Sequence, residues 1–150
     1  MTVENSSWTI ERDYPHPPER VFEAWSDPKV KVRWFDLSDT ENPDYSADFR
    51  VGGAESFRTP AGTEPVFTYD AVYRDIVPDE RIVTTYEMSM DGRRISVSVA
   101  TVELTATTTG THLAYTEQGA YLDGLDTASS RRTGTTAQLD RLGTVLAELG

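Results

Sequence analysis

Side chains able to do acid–base chemistry near neutral pH are few and scattered. The two histidines are His16, between prolines, and His112, in a run that alternates like a strand. Neither stands one helical turn from a second ligand, so no metal-binding spacing is formed. His16 reads as loop surface and His112 as a strand residue facing solvent. The absence of cysteine excludes thiolate nucleophiles, disulfides and cysteine zinc sites together. There is no Gly-x-Ser-x-Gly elbow and no phosphate-binding glycine loop. Glu87 and Glu117 lie on strand-like segments and, side by side, would make an acid–base pair. Acids on the solvent face of an antiparallel sheet are the commoner arrangement, so catalysis has no strong candidate. Arg50, Arg58 and Arg74 read as exposed partners of the many acids rather than as an anion clamp. No motif calls for a metal or a cofactor, and binding is favoured over catalysis.

The richer inventory is aromatic. Phe49, Phe57, Phe67, Tyr69, Tyr73, Tyr86, Tyr115 and Tyr121 fall on strand-like segments, and Trp25, Trp34 and Phe35 on short helical ones. Such residues either fill a core, each contributing about 1.5–3 kcal/mol when buried, or line a cavity. Tyrosine suits a wall that is part apolar and part polar. Phe67, Tyr69, Ala71 and Tyr73 share one strand face, and Ile82, Thr84, Tyr86, Met88 and Met90 share another. The two methionines read as packing or as adaptable lining.

The elements that must position these residues follow from periodicity and punctuation. Residues 7–13 (SWTIERD) alternate as a strand and are stopped by Pro15, Pro17 and Pro18. Proline also suits a helix start, and ERVFEAW then places Val21, Phe22 and Trp25 on one helical face. Ser26-Asp27-Pro28 closes that helix, with Asp27 as cap and Pro28 in the first turn of the next. The second helix, KVKVRWF, buries Val30, Trp34 and Phe35. Residues 36–46 are acid-rich and turn-rich and are expected to form a loop. ADFRV and ESFRT are expected to be strands joined through Gly52-Gly53, with a further break at Ala61-Gly62. PVFTYDAVYRDIV, RIVTTYEMSM, RRISVSVATVELTA and THLAYTEQGAYL are the remaining strands, with Asp91-Gly92 marking a two-residue hairpin. Consecutive hairpins make an antiparallel sheet, and the first strand must join an edge of it.

The last helix, expected over residues 126–149, has two characters. Leu139, Leu142, Leu146 and Leu149 recur on one face. The preceding stretch, residues 127–138, is small and polar, with Gly134 at its middle and no large apolar residue. One half is glued to a sheet; the other faces something besides packed side chains. The 150 residues fit one domain. The formal charge of −11, from 25 acids and 14 bases, disfavours nucleic acid and anionic lipid as partners. With no signal peptide and no apolar run long enough to span a membrane, a cytoplasmic protein is expected.

PPERVFEAWSDPKVKVRWF closely resembles the opening signature of the activator of heat-shock-protein-90 ATPase homolog-like family. That family belongs to the START-like (SRPBCC) superfamily, whose helix-grip fold is best known from the birch-pollen allergen. Its pattern falls here on Pro18, Val21, Phe22, Trp25, Ser26-Asp27-Pro28, Trp34 and Phe35. ADFRVGG resembles the family's strand ending in Arg-x-Gly-Gly, YRDIVPDERIV its strand–turn–strand unit, and GTTAQLDRLGTVLAEL its closing helix. The family often carries a bulky aromatic just after the helix glycine, whereas Thr135 follows Gly134 here, implying more room or a more polar wall.

The resemblance implies an α+β fold over residues 1–150. A curved antiparallel sheet of about six or seven strands wraps a long C-terminal helix, with two short helices after the first strand. It implies a cavity for a hydrophobic, lipid-like or polyketide-like molecule. The expected ligand-binding residues are Trp25, Trp34, Phe49, Phe57, Tyr69, Tyr73, Tyr86, Met88, Tyr115, Ser130, Gly134, Thr135 and Gln138. Two alternatives come with the same relatives: a co-chaperone of a heat-shock ATPase, implied by the name-giving eukaryotic member, and a polyketide cyclase-like enzyme. Exposed sheet edges leave a homodimer open. Nothing in the residues themselves supports a chaperone partner.

Overall fold

The prolines after the first strand end it and start the first helix where the sequence places them. The computed structural model describes residues 2–38, 43–60 and 62–150. Strand β1 (Val3–Tyr14) is followed by helices α1 (Pro18–Ser26) and α2 (Pro28–Phe35). Then come β2 (Asp44–Ala47), β3 (Ala54–Arg58), β4 (Phe67–Val77), β5 (Arg81–Met90), β6 (Arg93–Ala106), β7 (Thr111–Leu122) and helix α3 (Ala128–Leu149). The Asp27 carboxylate accepts from the Lys29 amide at 3.0 Å, capping α2, and Pro28 sits in that helix's first turn.

The seven strands among the described residues join one antiparallel sheet in the order β1-β7-β6-β5-β4-β3-β2. β1 takes the edge beside β7, with Val3 opposite Leu122 and Tyr14 opposite Thr111. Asp91 and Gly92 both adopt positive φ between β5 and β6, the conformation a two-residue hairpin of this kind requires.

Three expectations are corrected. The acid-rich stretch is not loop to its end, because Asp44–Ala47 forms β2. Ser46 and Ser56 share a hydroxyl–hydroxyl hydrogen bond at 3.0 Å, and Tyr45 lies opposite Phe57. Pairing with β3 thus overrides a local composition that favours turns. The strand expected at ADFRV accordingly ends at Ala47, and Phe49 lies in the connection rather than on a strand. There the chain folds back on itself through Arg50 N–H to the Asp48 carbonyl (2.9 Å) and Gly53 N–H to the Arg50 carbonyl (2.8 Å). Gly52 has φ +86°, and a Cβ on Gly53 would stand 1.9 Å from the Asp48 carbonyl oxygen, so both positions require glycine. Residues 39–42 of the predicted loop, and Ala61 of the predicted break, lie outside the described residues.

The third correction concerns α3. Leu139, Leu142 and Leu146 are buried with Val145, but Leu149 is 38% exposed because the last turn runs past the core. Tyr14 at the end of β1 donates to the Leu139 carbonyl at 2.8 Å, tying the sheet edge to the middle of the helix. The Trp34 indole N–H donates to the Ala24 carbonyl at 3.0 Å, and the Trp25 and Trp34 rings meet edge to face at 4.6 Å. The two short helices are thereby locked together at one end of α3. No helix among the described residues is long and apolar enough to cross a membrane.

Candidate functional site

A cavity of about 440 Å³ lies between the concave face of the sheet, α2 and the first half of α3. The thirteen residues expected to bind a ligand all border it except Phe49, which packs instead against Phe22 (5.7 Å) and Tyr73 (4.9 Å). β4 contributes Phe67, Tyr69 and Tyr73, and β5 contributes Ile82, Thr84, Tyr86 and Met88; Met90 is not on the wall. Ser130, Gly134, Thr135 and Gln138 line the helix side. A Cβ added to Gly134 would meet no atom within 4 Å, so the helix is bare there. The exposed lining residues Leu37, Ser38 and Ser130 mark the opening.

Behind the aromatic wall are two buried carboxylates: Glu55, which sequence reasoning passed over, and Glu117, which it read as solvent-facing. Glu55, on β3, is 1% exposed. Its Oε2 accepts from Lys31 Nζ (2.5 Å), the Tyr45 hydroxyl (2.5 Å) and the Tyr73 hydroxyl (2.9 Å), and its Oε1 from the Tyr69 hydroxyl (2.9 Å). Burial alone would raise its pKa. The Lys31 charge, with hydrogen bonds from Lys31, Tyr45 and Tyr69, reverses that and holds it below the ordinary value. Lys31 is itself buried, with its ammonium near the rings of Phe35 (4.8 Å), Trp25 (5.4 Å) and Tyr73 (5.9 Å).

Glu117, on β7, is fully buried and not the solvent-facing acid that strand statistics favour. Its Oε1 accepts from Tyr86 (2.6 Å) and Tyr115 (3.0 Å), and its Oε2 from Tyr121 (2.8 Å). Arg131 Nη1, from α3, stands 3.7 Å from Oε2 and donates to the Tyr86 hydroxyl at 2.8 Å. Arg131 Nη2 reaches Ser96 (2.9 Å) and Asp126 (2.5 Å). Burial, then the glutamate charge, raises the pKa of Tyr73 and Tyr86, so their hydroxyls keep their protons and donate. In Tyr69 and Tyr115 burial is joined by neighbouring glutamate and tyrosine charges, with the same result.

Glu87 does not approach Glu117: β6 separates their strands, and Glu87 pairs on the exposed face with Arg94. His112 also faces outward, between Asp13 (2.8 Å) and Glu11 (3.1 Å). Arg50 and Arg74 are bonded at the surface to Asp48 and Thr85. Among the described residues no group of histidines and carboxylates has the arrangement of a metal site.

The burial of Glu117, and the two cations that sequence reasoning passed over, did carry a signal. Glu117 follows Leu113 and Tyr115 at a spacing of two, which puts it on the apolar face of β7. Arg131 precedes Thr135 by one helical turn, and Lys31 stands three residues before Trp34.

A long helix gripped by a curved antiparallel sheet, with a cavity between them, defines a START-like (SRPBCC) helix-grip protein. The chain belongs to the Activator of Hsp90 ATPase homolog 1-like family, whose model matches residues 15–147. It is similar to a solved, uncharacterised protein of Rhizobium leguminosarum (39% identity, 98% of this chain and 97% of that one, TM-score 0.93). It is also similar to a solved protein of Rhizobium loti (45% identity, 97% and 99%, TM-score 0.90). DynU16, a protein of the dynemicin biosynthetic locus, shares the fold at 19% identity and a TM-score of 0.68; the match spans 94% of this chain and 47% of that one. No curated protein matches the chain significantly.

Proposed function

We propose that this chain binds a small, predominantly apolar molecule, lipid-like or polyketide-like in character, in the cavity between sheet and α3. The observation that carries the reading is a space of about 440 Å³ walled by aromatic rings and opposed by the small side of α3. That volume falls in the range of about 300–1,000 Å³ typical of ligand pockets. Its wall combines ring faces with a few fixed polar groups, the pattern that gives affinity and orientation together. The fold supports the reading, since SRPBCC-like proteins commonly take hydrophobic ligands.

Native mass spectrometry on protein purified from the cells that make it, followed by a panel of lipophilic compounds, tests this directly. A co-purifying or captured small molecule is expected, with its uptake reduced by Thr135→Trp. A folded protein that captures no compound from the panel overturns the reading.

A second reading, a cyclase-like enzyme, is favoured by one observation: Tyr86 and Arg131 line the cavity and are bonded to each other, with Tyr86 donating to Glu117 behind them. Turnover of a captured ligand, lost in Tyr86→Phe while binding persists, would favour it over simple binding. The co-chaperone reading has only the family name behind it, and an unchanged turnover of the host's heat-shock ATPase on addition of this chain disposes of it.

A further inference from the structure

The cavity wall also constrains the charge of what it holds, an inference that rests on the binding reading above. Among the described residues, two cationic side chains line the cavity, Lys31 and Arg131. Both are already matched by carboxylates: Glu55 at 2.5 Å from Lys31, and Asp126 at 2.5 Å and Glu117 at 3.7 Å from Arg131. Two cations thus stand against three carboxylates. Asp36, buried on the same wall, adds another, near Arg141, which donates to the Asp36 carbonyl at 3.5 Å. The Lys31 ammonium is further enclosed by three aromatic rings.

The tyrosine hydroxyls on the wall point the same way. Tyr69, Tyr73, Tyr86 and Tyr115 each have one hydroxyl proton, and each donates it to Glu55 or Glu117. What those hydroxyls retain for a ligand is lone pairs. We propose that the cavity selects an uncharged or cationic molecule carrying O–H or N–H donors and rejects acids of the same skeleton. A carboxylate or sulfonate entering it exchanges water for these acceptors and for cations that already have partners, which costs binding energy. Among the described residues the Trp25 indole N–H is the one buried side-chain donor on the wall without a partner. An alcohol, phenol or amine meets acceptor lone pairs, and an ammonium meets ring faces as well.

A matched pair of fluorescent probes tests this. N-phenyl-1-naphthylamine and 8-anilino-1-naphthalenesulfonate share their rings and their N–H and differ by the sulfonate. Both are titrated in about 1 M salt, where the Debye length is about 3 Å, so that the net charge of −11 does not itself repel the anion. The amine is expected to bind, with weakened binding in Thr135→Trp, and the sulfonate to bind at least about tenfold more weakly. Asp126→Asn removes a carboxylate at nearly constant volume and releases one arm of Arg131, so the gap narrows; Glu117→Gln replaces it should Asp126→Asn not fold. Equal or tighter sulfonate binding overturns the charge selection and leaves the binding reading standing. An unchanged gap in a variant that melts like the parent also overturns it, because exclusion is then by size. If neither probe binds, the binding reading falls, and this inference with it.

Discussion

Tyr69 and Tyr86 lie on neighbouring strands with ring centroids 4.8 Å apart, yet their hydroxyls go to different buried glutamates, Glu55 and Glu117. The sheet face under the cavity therefore carries two polar clusters, one anchored to α2 by Lys31 and one to α3 by Arg131. Helices α2 and α3 are thus each fixed to the sheet by a buried charge as well as by apolar packing, whereas α1, among the described residues, is held to it by apolar packing alone. Because the tyrosine rings form the wall and their hydroxyls serve the carboxylates, the cavity's lining and the two buried clusters share residues.

Lys31→Met tests the first anchor. Removing one partner of a buried pair leaves the other charge uncompensated, which costs about 3–5 kcal/mol. The side chains of Lys31 and Glu55 are 5% and 0% exposed, so solvent screening offers little relief. Urea denaturation should show that loss in the single variant. The double variant Lys31→Met/Glu55→Gln should recover part of it, because no unpaired charge remains. Equal stabilities of the single and double variants would mean the tyrosine hydroxyls alone satisfy Glu55.

Acid should act on the same pair. The folded pKa of Glu55 lies below its ordinary value of 4.5, burial being outweighed by Lys31 and the hydrogen bonds. A depressed folded pKa contributes stability that is fully present above the unfolded value and is lost as pH falls through the folded one. Stability should therefore drop on acidification below about pH 4.5, and Glu55→Gln should make that drop shallower. Thermal melts between neutral pH and acid give the comparison.

His112 should act in the opposite direction. Hydrogen bonds to Asp13, then Glu11, raise its pKa above the ordinary 6.5. A raised folded pKa contributes stability that is complete below the unfolded value and is lost as pH rises through the folded one. His112 and its partners join β1 to β7 at the sheet edge. The melting temperature should thus decline on raising the pH above about 6.5, and His112→Gln should flatten that decline. Because the imidazole is exposed, the effect is small and should shrink in high salt.

Most of the fold was legible because turn chemistry and hydrophobic period agree along this chain. Asp91-Gly92 marks the β5–β6 hairpin, and Pro15, Pro17, Pro18 and Pro28 bracket the two short helices. β2 was not legible, since its strand character comes from partners about ten residues ahead, Ser56 and Phe57. The cavity's aromatic side could be read from alternation along β4 and β5. Its charged backing was harder to see, because buried glutamate and lysine are rare enough that an exposed reading always looks safer. Only the tertiary arrangement shows that Tyr45, Tyr69 and Tyr73 converge on Glu55 from two different strands.

The two halves of α3 should respond oppositely to substitution. Leu142 is fully buried against the core, so Leu142→Ala removes packed methyl groups and should cost about 2–5 kcal/mol. Thr135 is also buried but borders the cavity, where a larger side chain has space to enter. Thr135→Trp should keep the melting temperature near that of the parent while weakening the uptake of apolar probes. The contrast matters because overpacking a filled core typically costs about 1–3 kcal/mol. Were Thr135→Trp destabilised to that extent with probe binding unaltered, the first half of α3 would be packed against the sheet in solution. The space beneath it would then be no binding site. Retained stability with lost binding would locate the ligand under the helix.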